Sequence, residues 1–280
     1  MAEIGINELD FEKFREFFYR KTGIQFEPSK RYFVDKRLVE RIELTDSGNF
    51  RTYFTKLRFE ASGEELQHLT NLMTVNETYF FREEYQFQCL VKSMLPDIIK
   101  RKTDDGPIRI WAIPSSSGEE PYSIALYLLE YWAGIRDFDI EVISSDIDTK
   151  ILAQARQGLY SARSVQHLPE SLLRKYFKRD ADGHQICDDL REAVQFTRVN
   201  LSERADTRGY RDFDVIFCRN LLIYFDDASR KAAAETLYDA LKPGGYVCLG
   251  HSESMSRCSS LYKVRKFPEA IVYQKPLEAR

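Results

Sequence analysis

Carboxylates, guanidinium groups and small hydroxyl residues recur in this chain where strand-like runs give way to helix-like ones. The longest such segment is Trp111-Ala-Ile-Pro-Ser-Ser-Ser-Gly-Glu-Glu-Pro-Tyr-Ser123. Ser117 can cap the helix that follows, Glu120 stands at the capping-box position, and Pro121 is tolerated in a first helical turn. Small residues let the backbone approach a ligand closely, although a capped turn with nothing bound has the same composition. Neither G-x-G-x-x-G nor Gly-Lys-Ser/Thr occurs, which weakens dinucleotide and nucleoside-triphosphate readings. An acidic helix start also suits an ammonium or a sulfonium better than a phosphate.

Three further segments have the same placement. In Ser144-Ser-Asp-Ile-Asp148, a carboxylate at a strand end can accept both hydroxyls of a ribose. Asp146 is assigned that role, and Asp148 is assigned to cap the next helix. In Phe217-Cys-Arg-Asn220, Arg219 and Asn220 either line a polar cleft or point outward at a sheet edge, because burying them unpartnered is costly. Their place at the carboxyl end of a strand favours the cleft. Leu241-Lys-Pro-Gly-Gly-Tyr246 reads as a helix-to-strand turn. Gly250-His-Ser-Glu-Ser254 offers hydrolase ingredients but lacks the G-x-S-x-G elbow.

The elements that must position these groups have two grammars. Residues 1–75 read as helices only: Asn7 caps the first, Gly23 ends it, Pro28 opens the second, Gly48 breaks it, and Ser62 caps the last. After Pro107, strands at Arg109–Ile113, Phe138–Ser145, Phe213–Cys218 and Tyr246–Gly250 alternate with helices of about 10–15 residues, implying a parallel, doubly wound sheet. Tyr262–Phe267 and Ala270–Gln274 form a closing hairpin. Residues 158–198 fit neither grammar. They read as an inserted β-rich subdomain, with a helix at Glu170–Phe177, a polar turn at Asp180–Gly183 and an alternating run from Val194 to Arg198.

Composition narrows the class. With 280 residues, 43% hydrophobic and 30% charged, the chain can bury a proper core. It has no apolar run of the ~20 residues needed to span a bilayer. Met1 to Asp10 carries no leader pattern, so the cytosol is the expected compartment. A net charge of −3 argues against a nucleic-acid binder. The odd count of five cysteines, without C-x-x-C spacing, points to core packing rather than metal or redox chemistry. Nothing demands more than a monomer.

Six motifs, in order, resemble those of the chemotaxis receptor glutamate methyltransferases, the CheR family. They are Asn76-Glu-Thr-Tyr-Phe-Phe-Arg-Glu83, Ser-Gly-Glu-Glu-Pro-Tyr-Ser, Ser-Asp-Ile-Asp, Cys-Arg-Asn-x-x-Ile-Tyr-Phe, Lys-Pro-Gly-Gly and Gly-His-Ser-Glu. The resemblance spans nearly the whole chain. It implies a class I α/β methyltransferase sheet (96–280), an inserted β-subdomain near 158–198, an N-terminal all-helical receptor-recognition domain (1–75) and a motif-bearing linker (76–95). It further implies S-adenosyl-L-methionine as cofactor, S-adenosyl-L-homocysteine as product, and chemoreceptor cytoplasmic signalling domains as partners. On the matching positions, Asn76, Thr78 and Arg82 would reach over the cofactor, Glu119 would take its methionyl end and Asp146 its ribose. Asn200, Leu201, Arg219 and Asn220 would hold the adenine side and the cleft floor. Arg82 and Tyr224 would flank the reacting centre. Ser115 stands where many family members carry Cys, and Pro114 stiffens the turn; neither change removes a proposed ligand.

A glutamate nucleophile, with an ordinary pKa near ~4.3, is already anionic at neutral pH, so none of the four histidines is needed as a base. Lys30, Arg31, Lys36, Arg37 and Arg41, followed by Arg51, Lys56 and Arg58, form a candidate basic docking face for acidic receptor helices, although such runs are usually solvated surface. The turn from Lys178 to His184 is short for a family member that docks a receptor's C-terminal pentapeptide, which points to tail-independent action. Two other functions share these features: the same fold acting on a different substrate, and a signalling adaptor that binds the cofactor without turnover.

Overall fold

The computed structural model describes residues 5–277. Residues 1–4, where the expected helical domain begins and where no leader pattern was expected, and residues 278–280, at the end of the expected methyltransferase domain, lie outside the described residues. Helices α1 (Glu8–Thr22), α2 (Arg31–Leu44), α3 (Phe50–Phe59) and α4 (Glu64–Met73) come first. Asn7 Oδ1 accepts the Asp10 N–H at 2.9 Å and Gly23 closes α1 in the left-handed region at φ 74°. A 3₁₀ turn, Pro28–Lys30, leads into α2. Asn49, one residue past the Gly48 break, caps α3 through the Thr52 N–H. Ser62 sits one step outside the cap position of α4, which Gly63 occupies, and accepts the Glu64 N–H from there. The apolar faces meet in one core around Phe11, Phe14, Phe18, Leu38, Tyr53 and Leu69. Each large side chain so buried contributes about 1.5–3 kcal/mol.

The expected linker of residues 76–95 is half helical. Helix α5 (Tyr85–Cys89) continues through a π-helical stretch, Leu90–Met94, into α6 (Leu95–Arg101). Phe87, Leu90 and Met94 belong to the main core, so residue 95 falls inside a helix rather than at a boundary. The remaining elements follow in order. They are β1 (Ile108–Ala112), α7 (Glu119–Tyr131), β2 (Ile140–Asp146), α8 (Thr149–Gln157), β3 (Leu159–Tyr160), α9 (Ala162–Val165), α10 (Glu170–Tyr176), β4 (Phe177–Asp180) and β5 (Gly183–Ile186). Then come α11 (Asp188–Glu192), β6 (Val194–Arg198), α12 (Arg204–Thr207), β7 (Phe213–Cys218), α13 (Asp227–Ala240), β8 (Leu241–Leu249), β9 (Lys263–Lys266) and β10 (Ile271–Gln274).

The main sheet runs β6-β2-β1-β7-β8-β10-β9, parallel from β6 to β8 and closed by the antiparallel hairpin of β9 and β10. Two expectations are corrected. Val194–Arg198 is the edge strand of this sheet, paired in parallel with β2 from Val142↔Val194 to Asp146↔Arg198, and not part of the insertion. Its alternation is that of a strand covered on one face. The Lys-Pro-Gly-Gly turn lies within β8, whose pairing with β7 jumps from Phe213↔Leu241 to Val215↔Tyr246, a bulge with Gly244 at φ 81°. The insertion keeps a separate antiparallel sheet, β3-β5-β4.

The helical domain is fastened to the sheet domain at two places. At the first, Asn200 Nδ2 donates to Lys21 O (2.7 Å), Ser202 Oγ to Thr22 O, Gln25 N–H to Tyr224 O, and Tyr19 OH to the Asp226 carboxylate. At the second, Gln67 Nε2 donates to Ile147 O and Asn71 Nδ2 to Thr149 Oγ1. A methyl group at Gly23 would lie 2.1 Å from Ser202 Oγ. Gly23→Ala is therefore expected to cost about 1–2 kcal/mol for the left-handed backbone alone, plus the overlap. In urea unfolding, adding Ser202→Gly should recover the overlap and leave the backbone cost.

Candidate active site

The carboxyl ends of β1, β2 and β7 open onto a cavity of about 670 Å³, where an open α/β sheet binds its ligand. Thr22, Ile24, Phe26, Phe33 and Met73 of the helical domain, Thr74 and Val75 after it, and Asn76–Tyr79 of the linker roof it.

The β1 turn presses its backbone into this space. Ser115 N–H donates to Ser145 O (2.7 Å) and Ser116 N–H to Asp146 Oδ2 (2.8 Å). Ser116 takes φ 49° and Gly118 φ 96°. A Cβ on Gly118 would meet Tyr122, Tyr160 and Ala155 at 3.0–3.1 Å, so only glycine fits. Ser117 does not cap α7; its hydroxyl donates to Glu119 Oε2.

The two adjacent glutamates of this turn diverge, because neighbours on a helix do not share a face. Glu119, 3% exposed, turns inward and accepts the hydroxyls of Ser117 (2.6 Å) and Ser164 (2.5 Å). Burial pushes its carboxyl above the ordinary value. It does not line the cavity. Glu120 does.

Glu120 meets Arg219. This guanidinium, 4% exposed, binds Glu120 Oε2 at 2.6 Å, lies 3.3 Å from Glu83 Oε2, and donates to Arg82 O at 2.6 Å. Burial alone would lower its pKa, but Glu120 and Glu83 outweigh that and hold it above the ordinary value. Arg219 thus lines the cleft as a strut between two carboxylates. Asn220 follows at φ 57°, its N–H donated to Glu253 Oε2 at 2.7 Å. Phe81 and Glu83 are also left-handed, so the linker turn that carries Arg82 is held in a conformation side chains disfavour.

Asp146 is 3% exposed and accepts the N–H groups of Ser116 and Asp148. Burial raises its carboxyl to about 6. Asp148 caps α8 through the Ile151 N–H, and its other oxygen accepts Thr74 Oγ1 (2.6 Å) and Asn76 Nδ2 (2.9 Å). Asn76, Thr78, Arg82, Asp146, Asn200, Leu201, Arg219, Asn220 and Tyr224 all line the cavity. The amides of Asn76 and Asn200 are committed to Asp148 and Lys21 O, so both residues fasten the walls. Arg82 donates to Glu77 O and, among the described residues, forms no ion pair with a carboxylate. Burial raises the Tyr224 phenol above its ordinary value, with Glu77 adding to the rise and Arg82 opposing it.

Several polar atoms of cavity-lining residues are buried without a partner among the described residues: Ser115 Oγ, Ser116 Oγ, Glu120 Oε1 and Arg219 Nε. Such groups cost about 1–3 kcal/mol each unless something meets them. Glu120 Oε1 and the two serine hydroxyls offer acceptors for an ammonium and hydroxyls, and Arg219 Nε–H a donor, beside the apolar Ile147, Val199 and Leu201. That set fits an amino-acid-bearing nucleoside.

Two family models divide the chain between them. "CheR methyltransferase, all-alpha domain" matches residues 9–74, and "CheR methyltransferase, SAM binding domain" matches 76–271. The chain belongs to the CheR methyltransferase family. It is 58% identical to chemotaxis protein methyltransferase 2 of Vibrio cholerae over 277 residues, covering 99% of this chain and 96% of that protein. Chemotaxis protein methyltransferase 2 of Pseudomonas aeruginosa is 38% identical over 91% of this chain and 89% of its own. The chemotaxis protein methyltransferase of Escherichia coli is 32% identical over 94% and 90%. The protein is thus a methyltransferase whose cofactor is S-adenosylmethionine. Among the described residues, no helix is long and apolar enough to cross a membrane, and no cluster of His, Cys, Asp or Glu could hold a metal.

The basic face of this methyltransferase is smaller than its sequence implies. Arg31 pairs with Glu8 and Asp35, Arg41 with Glu65, and Arg37 donates to Leu72 O with its guanidinium 3.4 Å over the Phe33 ring. Lys30, Lys36, Arg51, Lys56 and Arg58 remain exposed. For the strut at the centre of the site, Arg219→Met should leave Glu120 and Glu83 buried without a cation and cost about 3–5 kcal/mol in denaturant unfolding. Arg219→Met with Glu120→Gln should recover part of that loss.

Proposed function

We propose that the chain acts in the cytoplasm, as a monomer, transferring the methyl group of S-adenosylmethionine to glutamate side chains of chemoreceptor signalling domains as 5-O-methyl esters. The observation that carries this reading is Arg82, a cavity-lining guanidinium without a carboxylate partner among the described residues, beside the Tyr224 phenol. The three-part division is retained as a working scheme: a recognition domain to residue 75, a linker, and a methyltransferase domain with its inserted sheet.

Bound S-adenosylmethionine supplies an electrophilic methyl group on a sulfonium. Asp146 accepts the ribose hydroxyls, and Glu120 Oε1 accepts the ammonium that the sequence assigns to Glu119. Ile147, Val199 and Leu201 supply apolar surface for the adenine, beside Asn200 and Asn220. Thr78 closes the wall beside Arg82. Arg82 holds the substrate carboxylate, and the neutral Tyr224 hydroxyl donates to it from the cavity wall. No side chain has to remove a proton, because the nucleophile is ionised at neutral pH. The chain's contribution is alignment and exclusion of water, and alignment alone can supply ~7–11 kcal/mol.

Receptor recognition falls to the exposed Lys30, Lys36, Arg51, Lys56 and Arg58, a surface whose attraction for acidic helices weakens with salt. Strands β4 and β5 are joined through only Ala181 and Asp182, which supports action without a receptor C-terminal pentapeptide.

Labelled methyl transfer to receptor signalling domains, with and without their C-terminal tails, tests the reading. Base-labile label on both forms is expected. A dependence on the tail would overturn the tail-independent proposal, and label that survived base would overturn the ester. Arg82→Ala should lower kcat/KM about a hundredfold, the worth of a charged hydrogen bond in the transition state; near-normal turnover would remove Arg82 from that role. Because the ionised Asp146 carboxylate is the better acceptor, S-adenosylmethionine affinity should fall as pH drops through about 6. Calorimetric titration between pH 7.5 and 5 should show this in the wild type and not in Asp146→Asn.

A further inference from the structure

A second cavity, of about 430 Å³, lies against the Gly250-His-Ser-Glu segment and shares no lining residue with the first. Its walls include Tyr85, Gln86, Glu253, Phe267, Glu269 and Tyr273. Apart from the exposed His251 ring, the side-chain donors around it are already engaged. Gln86 Nε2 donates to Glu83 Oε2 (2.9 Å) and Leu249 O (2.8 Å), Tyr85 OH to Glu83, Tyr273 OH to Ser254, and Gly250 N–H to Glu253 Oε2 (2.8 Å). Its acceptors are not. Gln86 is only 4% exposed, yet its Oε1 has no partner among the described residues. Glu253 Oε1 is likewise buried and unmet, and Glu269 is engaged through one oxygen, by Ser93 at 2.8 Å.

Spare acceptors, two carboxylates and three aromatic rings call for a ligand that only donates and carries positive charge. Arg265 lies 5.4 Å over the Phe267 ring and, among the described residues, pairs with no carboxylate. We propose that this second cavity is a binding site for an alkylammonium or guanidinium group, presented by a free amine or by a basic side chain of a partner protein. Gln86 Oε1, Glu253 Oε1 and Glu269 receive its N–H groups against the aromatic walls. Glu253 Oε2 holds the Asn220 N–H, and Gln86 holds Glu83, which pairs with Arg219. These contacts join the walls of one cavity to those of the other.

The test is calorimetric titration of the full chain with N-acetyl-argininamide, using N-acetyl-citrullinamide as its neutral isostere. Saturable binding of the first alone is expected, undisplaced by saturating S-adenosylmethionine. Glu253→Gln, which keeps an oxygen for the two N–H groups, and Glu269→Gln, at a half-buried wall position, should each weaken binding at least about fivefold. Thermal melting establishes that both variants are folded. Equal binding of the isostere, displacement by the cofactor, no saturable binding, or unchanged affinity in the folded Glu269→Gln protein would each overturn the proposal. Spermidine and a short arginine-containing peptide separate the sources: tighter binding of the amine identifies a free polyamine, and tighter binding of the peptide a protein side chain.

Discussion

A buried guanidinium between two carboxylates is the constraint on which the rest of this structure depends. Arg219 cannot be 4% exposed without partners, and its partners come from two stretches of chain. Glu120 begins the helix after β1, Glu83 belongs to the linker turn, and the Arg82 carbonyl accepts a further N–H. One side chain just past the end of β7 therefore sets where the linker runs and which glutamate of the Glu-Glu pair faces the cavity. Two carboxylates face one guanidinium here, and burial raises the Glu120 carboxyl above its ordinary value against the pull of Arg219. A cationic ligand suits that imbalance and a phosphate does not.

The backbone around the cavity is shaped to match. Phe81, Glu83, Ser116 and Asn220 are non-glycine residues in the left-handed region, and all lie at or beside the Arg219 network. Each such conformation costs of order 1–3 kcal/mol and persists only where the surroundings over-determine it. Here the surroundings are the Glu253 carboxylate under Asn220, the Asp146 carboxylate under Ser116 and the Ser123 hydroxyl under Phe81. The site is rigid because polar side chains take up the N–H groups of its strained turns.

Local signals in the sequence reached far into this architecture. Asn7, Gly23 and Asp148 act as caps because capping depends on a few neighbouring residues, and the runs read as strands at Phe213–Cys218 and near the end became β7 and the β9–β10 hairpin. Longer-range facts were less legible. That Val194–Arg198 joins the main sheet depends on its pairing with β2, roughly 50 residues earlier. Glu119 and Glu120 are chemically identical neighbours, and only the burial of Arg219 decides between them; a buried arginine's need for a carboxylate was the available signal. Arg31, Arg37 and Arg41 read as a docking face because their partners, Glu8, Leu72 and Glu65, are remote in sequence. Asn76 and Asn200 both line the cavity, and their amides donate to Asp148 and Lys21 O, partners that lie far away in sequence.

The seam between the helical domain and the sheet domain has a consequence for engineering. Lys21, Thr22 and Gln25 are matched through main-chain groups to Asn200, Ser202 and Tyr224, and Gly23 leaves room for the Ser202 hydroxyl. The same few residues of the helical domain form part of the roof over the cavity. A chimera that exchanged the helical domain for a relative's, in order to redirect receptor choice, would also replace part of the cofactor's enclosure. To alter recognition alone, such a graft has to carry both faces of the seam together.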